Sequence, residues 1–403
     1  MIPQMMLLTM FLLLIYMYNI KMNKKSQMLF KYILFKMNKL KNMINMNKYF
    51  KRFNNTKVEI NQNMMNNSDN NNNQEDDEKE SKNKVSMKKV IKNLRYLTNE
   101  DVDKYTWIWD KTPRKFDKFY EEYKKTYPHN KLPSKEFLEW FIGFFEGDGS
   151  MTMATRGDLS MVITQHDKDI HILEYIKDNL GFGKVVAQTS KNRKNISRWI
   201  TNKQLDHKLL IYLFNGNMVL PLRYIKFSLF TNKLNIKLLK NNESIIPVKN
   251  NCKLPTLNDA WLSGFIDGEG CFNIHHNNNY YSSLFNLSQK YTANIYVLET
   301  ILKLIQDLSK IYKGSIMPHT RDNNFMLCIT NKNMCASMKY YFDKFPLKTN
   351  KHIEYMKWMD FILTYININN NNNNNNKQIL ENKYQIIRDN SWYLLRKKEK
   401  KNM

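Results

Sequence analysis

The chain has 403 residues, 63 of them Lys or Arg against 37 Asp or Glu, which gives a formal net charge of +26 at neutral pH. An excess of that size calls for a polyanionic partner or a charged surface, and 42% hydrophobic with 13% aromatic residues excludes a wholly disordered chain. The four cysteines, Cys252, Cys271, Cys328 and Cys335, contain no C-x-x-C pair, which argues against a zinc ribbon and a secreted disulfide framework and leaves them reduced and structural.

Residues 1–20 are almost wholly apolar, with Gln4, Thr9 and Asn19 as exceptions, and Lys21, Lys24 and Lys25 follow at once. About twenty residues at ~1.5 Å each just span a bilayer, and neither the basic n-region nor the small-residue cleavage site of a secretory signal is present. This stretch reads as a hydrophobic leader, either a membrane segment or a remnant of an upstream membrane-protein frame. Residues 21–100 read as a basic, then acidic, low-complexity linker. Lys21 to Lys57 has no carboxylate to offset it, so it is either a nucleic-acid arm or a solvated flank, and the acidic cluster from Glu75 to Glu80 ends a polar tether. The aromatic and basic stretch 101–133, with Trp107, Trp109, Phe116, Phe119, Tyr120 and Tyr123, is predicted to pack onto the body as helix.

An internal repeat follows, 134–245 and 255–366, before an Asn-rich linker and basic tail at 367–403. Trp140 to Gly149 aligns with Trp261 to Gly270, Gln165 with Gln289, Ile200-Thr201-Asn202-Lys203 with Ile329-Thr330-Asn331-Lys332, and Pro221 to Lys226 with Pro346 to Lys351. Each repeat reads helix, two strands, helix, two strands, helix. Ser134 and Asn258 are the predicted N-caps of the leading helices. Phe137, Leu138, Phe141, Phe144 and Phe145 have the spacing of a buried helix, and Ile172, Leu173, Ile176 and Leu180 share one face of a helix from Ile170 to Leu180 that Gly181 and Gly183 stop. The predicted strands of the first repeat are Ser150 to Thr155, Leu159 to Gln165, Lys184 to Gln188 and Arg198 to Asn202.

Gly143 and Gly147 lie four apart on one helix, as do Gly264 and Gly268 on the other, so the two helices can approach backbone to backbone about a pseudo-twofold axis. Asp148 and Glu269 come one residue later, which brings two carboxylates together at the end of the helix pair. Such a pair repels unless cations sit between them, and oxygen-only ligands suit Mg²⁺. His166, His171, His275 and His276 form no H-E-x-x-H or Cys/His set, which argues against zinc.

In these features the sequence resembles the double-motif LAGLIDADG homing endonucleases and their RNA maturase relatives of organellar group I introns. The resemblance covers roughly Lys131 to Tyr365 and rests on the motifs Phe141 to Gly149 and Leu262 to Gly270. It implies an α+β monomer of two pseudo-twofold-related, ααββαββ-like halves whose antiparallel sheets form a DNA-binding saddle. It also implies that Asp148 and Glu269 are the metal-binding catalytic acids, with Gly147 and Gly268 beside them at the metal, and that Glu146 and Asp267 support the helix ends. Gln165 and Gln289, and the basic residues Lys226 and Lys351, match the family's places for polar and basic catalytic partners. The implied activity is Mg²⁺-dependent cleavage of both strands at a long asymmetric duplex site, promoting group I intron homing. The alternative is an RNA maturase assisting splicing of its own intron. DNA-facing positions are expected in Thr152 to Ser160, Lys184 to Arg198, Asn273 to Ser283 and Ser315 to Asn324. Five alanines beside abundant Asn, Lys, Ile and Met fit AT-rich codons and point to an organelle, the mitochondrion.

Overall fold

The computed structural model describes residues 107–154, 157–187, 195–277, 280–320, 324–371 and 377–389. The leader, the Lys21 to Lys57 run, the acidic tether and the end of the tail lie outside them.

In chain order the first part runs β1 (Trp109–Asp110), α1 (Asp117–Thr126), α2 (Lys135–Asp148), β2 (Gly149–Met153), β3 (Leu159–His166), α3 (Ile170–Leu180), β4 (Lys184–Ala187), β5 (Ile196–Thr201), α4 (Gln204–Phe214) and α5 (Pro221–Lys240). The second runs β6 (Cys252–Lys253), α6 (Trp261–Glu269), β7 (Gly270–Asn277), β8 (Tyr280–Lys290), α7 (Ile295–Ser309), β9 (Ser315–Thr320), β10 (Asn324–Ile329), α8 (Lys332–Ser337), α9 (Lys339–Lys344), α10 (Lys351–Asn371) and α11 (Lys377–Asp389). Two four-stranded antiparallel sheets result, β2-β3-β5-β4 and β7-β8-β10-β9, with the same order in each half. The strands alternate. Leu159, Met161 and Ile163 bury one face of β3, and Thr164 stands out on the other. On β7 the solvated end carries His275.

The leading helix α2 buries eleven of its fourteen residues, so it is an interior helix with no solvated face. The Ser134 side chain accepts from Phe137 N at 3.1 Å, the predicted cap. Asn258 does not cap α6. That helix begins at Trp261, whose N–H donates to Asp259 Oδ1 at 3.1 Å, because Asp259 is held in place by a buried ion pair with Arg114. The two helices cross at their glycines. A Cβ on Gly143 would stand 2.0 Å from the carbonyl oxygen of Trp261, and one on Gly264 would stand 1.9 Å from that of Trp140. Helix α3 ends where Gly181 turns left-handed at φ +70°, the stop predicted for it.

Two features depart from the sequence reading. Residues 101–133 were expected to supply helix alone, yet β1 pairs in parallel with β6 from the inter-repeat linker, Trp109 opposite Cys252. Arg114 donates to Asn217 O at 3.1 Å while holding Asp259, so this stretch straps the linker and the start of α6 together. The tail, expected as linker and basic extension, contributes α11. There Leu380 is buried, Tyr281 donates to Glu381, and Tyr384 packs on His276 and Tyr281. All four cysteines are free thiols, three of them buried.

Candidate active site

Each leading helix ends at its acid, Asp148 for α2 and Glu269 for α6, because the next residue, Gly149 or Gly270, adopts extended backbone and begins the first strand of its sheet. At this end the helices are nearly in backbone contact, since a Cβ on Gly147 would lie 3.2 Å from Gly268 Cα. The structure therefore brings Asp148 and Glu269 together, as their positions in the repeat predict.

The residues just before them brace the helix ends. Glu146 is fully buried and accepts from Val219 N at 2.9 Å, Leu220 N at 2.7 Å and the Trp261 indole at 2.7 Å. Asp267 accepts from Lys348 N at 2.8 Å, Thr349 N at 3.1 Å, the Thr349 hydroxyl at 2.6 Å and the Trp140 indole at 2.8 Å. The indole of each half thus donates to the carboxylate of the other. Burial pushes the Glu146 carboxyl up to about 7, against the hydrogen bonds that favour its anion, and burial also raises Asp267.

Gln165 Nε2 donates to Asp148 Oδ2 at 2.6 Å, and Gln289 hydrogen-bonds Glu269. Both acids are pushed above the usual carboxylate range, first by burial. Glu269 is pushed further by the charge of Asp148, while Arg223 and Lys351 pull both back. Two partly desolvated carboxylates, the charge of one raising the other, present hard oxygen donors of the kind that suits a divalent cation that keeps waters and binds phosphate oxygens. Among the described residues no three His, Cys, Asp or Glu side chains gather closely enough to form a metal cage.

Lys351 Nζ donates to the carbonyls of Ile266 at 3.0 Å and Gly268 at 3.2 Å, capping the end of α6. Its counterpart on α2 is not Lys226. Arg223 reaches the carbonyls of Glu146 at 2.6 Å, Gly147 at 2.5 Å and Gly149 at 2.7 Å. Lys226 lies one turn further along α5, and burial followed by the charge of Arg223 holds it below the usual lysine value. The sequence alignment slipped at this point. Pro221 opens α5 at its first turn, whereas Pro346 sits in the loop five residues before α10, so the shared Pro-Leu pair marks different places in the two halves. The carbonyls of Gly147 and Gly268, expected beside the metal, each already accept one hydrogen bond from a cation and keep a second lone pair.

A groove of about 410 Å³ opens here, lined by Asp148, Gln165, Asp169, Gly268, Lys351 and Glu354 among others. A roomier hollow of about 600 Å³ near Asp158 and His207 contains none of the paired acids or glutamines. Of the expected DNA-facing positions, 155–156, 188–194, 278–279 and 321–323 lie outside the described residues. Arg223, Asp169 and Glu354 are the site residues that sequence reasoning missed. An i, i+3 basic pair at the start of α5 was the available signal for Arg223.

The pattern of the LAGLIDADG endonuclease family matches residues 141–234 and 262–362. Among curated proteins, the chain is 35% identical over 237 residues to the probable intron-encoded endonuclease 4 of Neurospora crassa, covering 57% of this chain and 40% of that one. It is 27% identical over 229 residues to the intron-encoded RNA maturase bI4 of Saccharomyces cerevisiae, covering 57% and 32%. The chain thus spans well under half the length of either relative. Among solved structures, I-SmaMI bound to uncleaved DNA target in the presence of calcium ions aligns with a TM-score of 0.46 at 14% identity, over 62% of this chain and 97% of that one.

Proposed function

Because its two halves, residues 141–234 and 262–362, belong to the LAGLIDADG endonuclease family, we propose that this chain is a site-specific, Mg²⁺-dependent DNA endonuclease that promotes homing of its group I intron. The single observation that carries this reading is the pair of half-buried, mutually repelling acids, Asp148 and Glu269, each with a glutamine partner, at the shared end of the two crossing helices.

Asp148 and Glu269 would hold the cation, with the free lone pairs of the Gly147 and Gly268 carbonyls as further donors. Bound Mg²⁺ supplies a Lewis acid that lowers the pKa of an attacking water and stabilises the leaving 3′ oxygen. Gln165 fixes one oxygen of Asp148 and leaves the other to face the substrate, and Gln289 does the same for Glu269. Arg223 and Lys351 keep the helix ends from fraying and add positive charge beside the scissile phosphates. Each acid serves one strand. The solvated sheet faces, with Thr152, Thr164 and Arg198 on one and Asn273, His275 and Asn286 on the other, supply phosphate and base contacts along the duplex. Two halves of different sequence favour a long asymmetric site. The AT-biased composition and the intron-encoded relatives favour action in the mitochondrion.

Likeness to the bI4 maturase favours a second reading, in which the same halves grip intron RNA and assist its splicing. One experiment separates the two. Purified protein is incubated with plasmid carrying the intronless allele, with Mg²⁺ or with EDTA, beside a splicing assay on the intron RNA. A metal-dependent double-strand break supports the endonuclease. Selective binding of intron RNA with no cleavage at any Mg²⁺ concentration overturns it in favour of the maturase.

A further inference from the structure

The pseudo-twofold axis relates the two acid sites, and the charges around them do not obey it. Lys351 and Arg223 play the same part, each capping the end of a leading helix from the first turn of a later helix. Three residues on, one helical turn along the same face, α10 carries Glu354 where α5 carries Lys226. A second pair differs in the same sense. The residue immediately before α3 is Asp169, and the one immediately before α7 is Asn294.

These positions belong to the sites themselves. Glu354 and Asp169 line the groove that holds Asp148 and Gln165, and their carboxylates feel each other's charge. Asp169 also accepts from Asn350 N at 3.0 Å, which ties the start of α3 to the loop before α10. On the other side, Asn294 Nδ2 reaches Gln289 Oε1 at 3.4 Å, Gln289 bonds Glu269, and Glu269 is the strongest charge acting on Arg223. Arg223 and Lys351 act on both acids, but the groove at Asp148 adds the carboxylates of Asp169 and Glu354 to the brace Asp267, where the matching positions of the other half are Asn294 and Lys226. No three acids among the described residues are close enough to ligate one ion together, so Glu354 and Asp169 act on a cation through their field rather than as ligands.

We propose that the two sites are electrostatically unequal, so that the Asp148 site loads its divalent cation first and the strand it serves is cut first. The loading order stands on the charges alone. The strand order rests on the endonuclease reading above. One unit charge acting on a divalent ion across roughly 8–10 Å of partly solvated protein changes its binding about tenfold. Glu354 against Lys226 differs by two units, and Asp169 against Asn294 adds a third.

The test uses Mn²⁺ as the probe and the full chain, with free Mn²⁺ followed by electron paramagnetic resonance. The wild type should show two classes of site differing at least tenfold in affinity. Asp148→Asn should remove the tight class and Glu269→Gln the weak one. Glu354→Lys should weaken the tight class about a hundredfold, and Lys226→Glu should strengthen the weak class by a similar factor. Glu354→Gln, with about half the effect, serves if the lysine variant melts early. One class of site in the wild type, loss of the tight class on Glu269→Gln, or an unchanged spread in the Glu354 and Lys226 variants would each overturn the proposal. Strand-specific labels on the duplex read the cutting order at limiting Mg²⁺. If neither strand is cut at any concentration, the endonuclease reading falls while the Mn²⁺ hierarchy still decides the loading order.

Discussion

A single methyl group at Gly143 should force the two halves apart. In Gly143→Ala the new carbon would meet the Trp261 carbonyl oxygen at 2.0 Å and Phe265 N at 2.8 Å, both main-chain atoms that no rotamer change can clear. Restoring ordinary contact requires α2 and α6 to separate by more than an ångström or to tilt. Either motion also stretches the two indole–carboxylate bonds that link the halves, Trp140 to Asp267 and Trp261 to Glu146. The cost should therefore reach or exceed the top of the ~1–3 kcal/mol range typical of overpacking. Gly147→Ala is the control, since its nearest neighbour is Gly268 Cα at 3.2 Å and a shift of a few tenths of an ångström suffices. Urea unfolding followed by tryptophan fluorescence should give a much lower midpoint for Gly143→Ala than for Gly147→Ala. Displacing Asp148 relative to Glu269 by an ångström should also cost about 10²-fold in cleavage at a temperature where the variant is folded. Equal midpoints for the two variants would refute the view that the glycine crossing sets the separation of the halves.

Asp148→Asn or Glu269→Gln should abolish double-strand cleavage and leave duplex binding intact in a gel-shift assay, with nicking by single variants as the sign of one acid per strand; undiminished cutting would remove the acids from the mechanism. The Glu146 carboxyl is raised in the folded chain to about 7 from an ordinary value near 4.5, so the folded state holds more protons between those values and its stability falls as pH rises from about 4.5 to 7, by about 3 kcal/mol at most. Glu146→Gln should flatten that part of the stability profile, and an unchanged slope would assign it to other groups. Arg114→Ala leaves Asp259 buried without its partner and should destabilise the chain by ~3–5 kcal/mol, measured by urea unfolding. Duplex affinity should fall about 10³–10⁵-fold between 50 and 200 mM salt if ~6–10 phosphates are neutralised, and a flat salt response would contradict a phosphate-tracking surface.

Much of this architecture is legible in the sequence because the repeat is local and periodic. Glycine pairs four apart, an acid one residue later and a glutamine closing the second strand all follow from backbone geometry within one half, and the structure places Asp148, Gln165, Glu269 and Gln289 accordingly. What escaped the sequence is non-local. Arg223 was passed over for Lys226 because an identical Pro-Leu pair opens a helix in one half and lies in a loop in the other, and only the three carbonyls that Arg223 reaches reveal which residue matches Lys351. Asn258 is a good cap by type, but the helix starts later, with Ala260 at the cap position, and Asp259, held by an arginine 145 residues earlier, accepts from Trp261 N instead. The pairing of β1 with β6 is equally remote, joining two-residue segments too short to carry any periodic signal.

The exchanged indole bonds bear on how the protein is made. The first half buries Glu146 against a donor, Trp261, that the ribosome supplies more than a hundred residues later, and it presents an aromatic, glycine-faced helix with nothing yet to cover it. Until α6 emerges, that half is an incomplete object whose best available cover is the same face of a neighbouring nascent chain. Joining the halves in one polypeptide sets the concentration of the correct partner by the length of the linker instead of by expression level, and β1, already synthesised, waits to receive the linker strand β6 and aim the second half at the first.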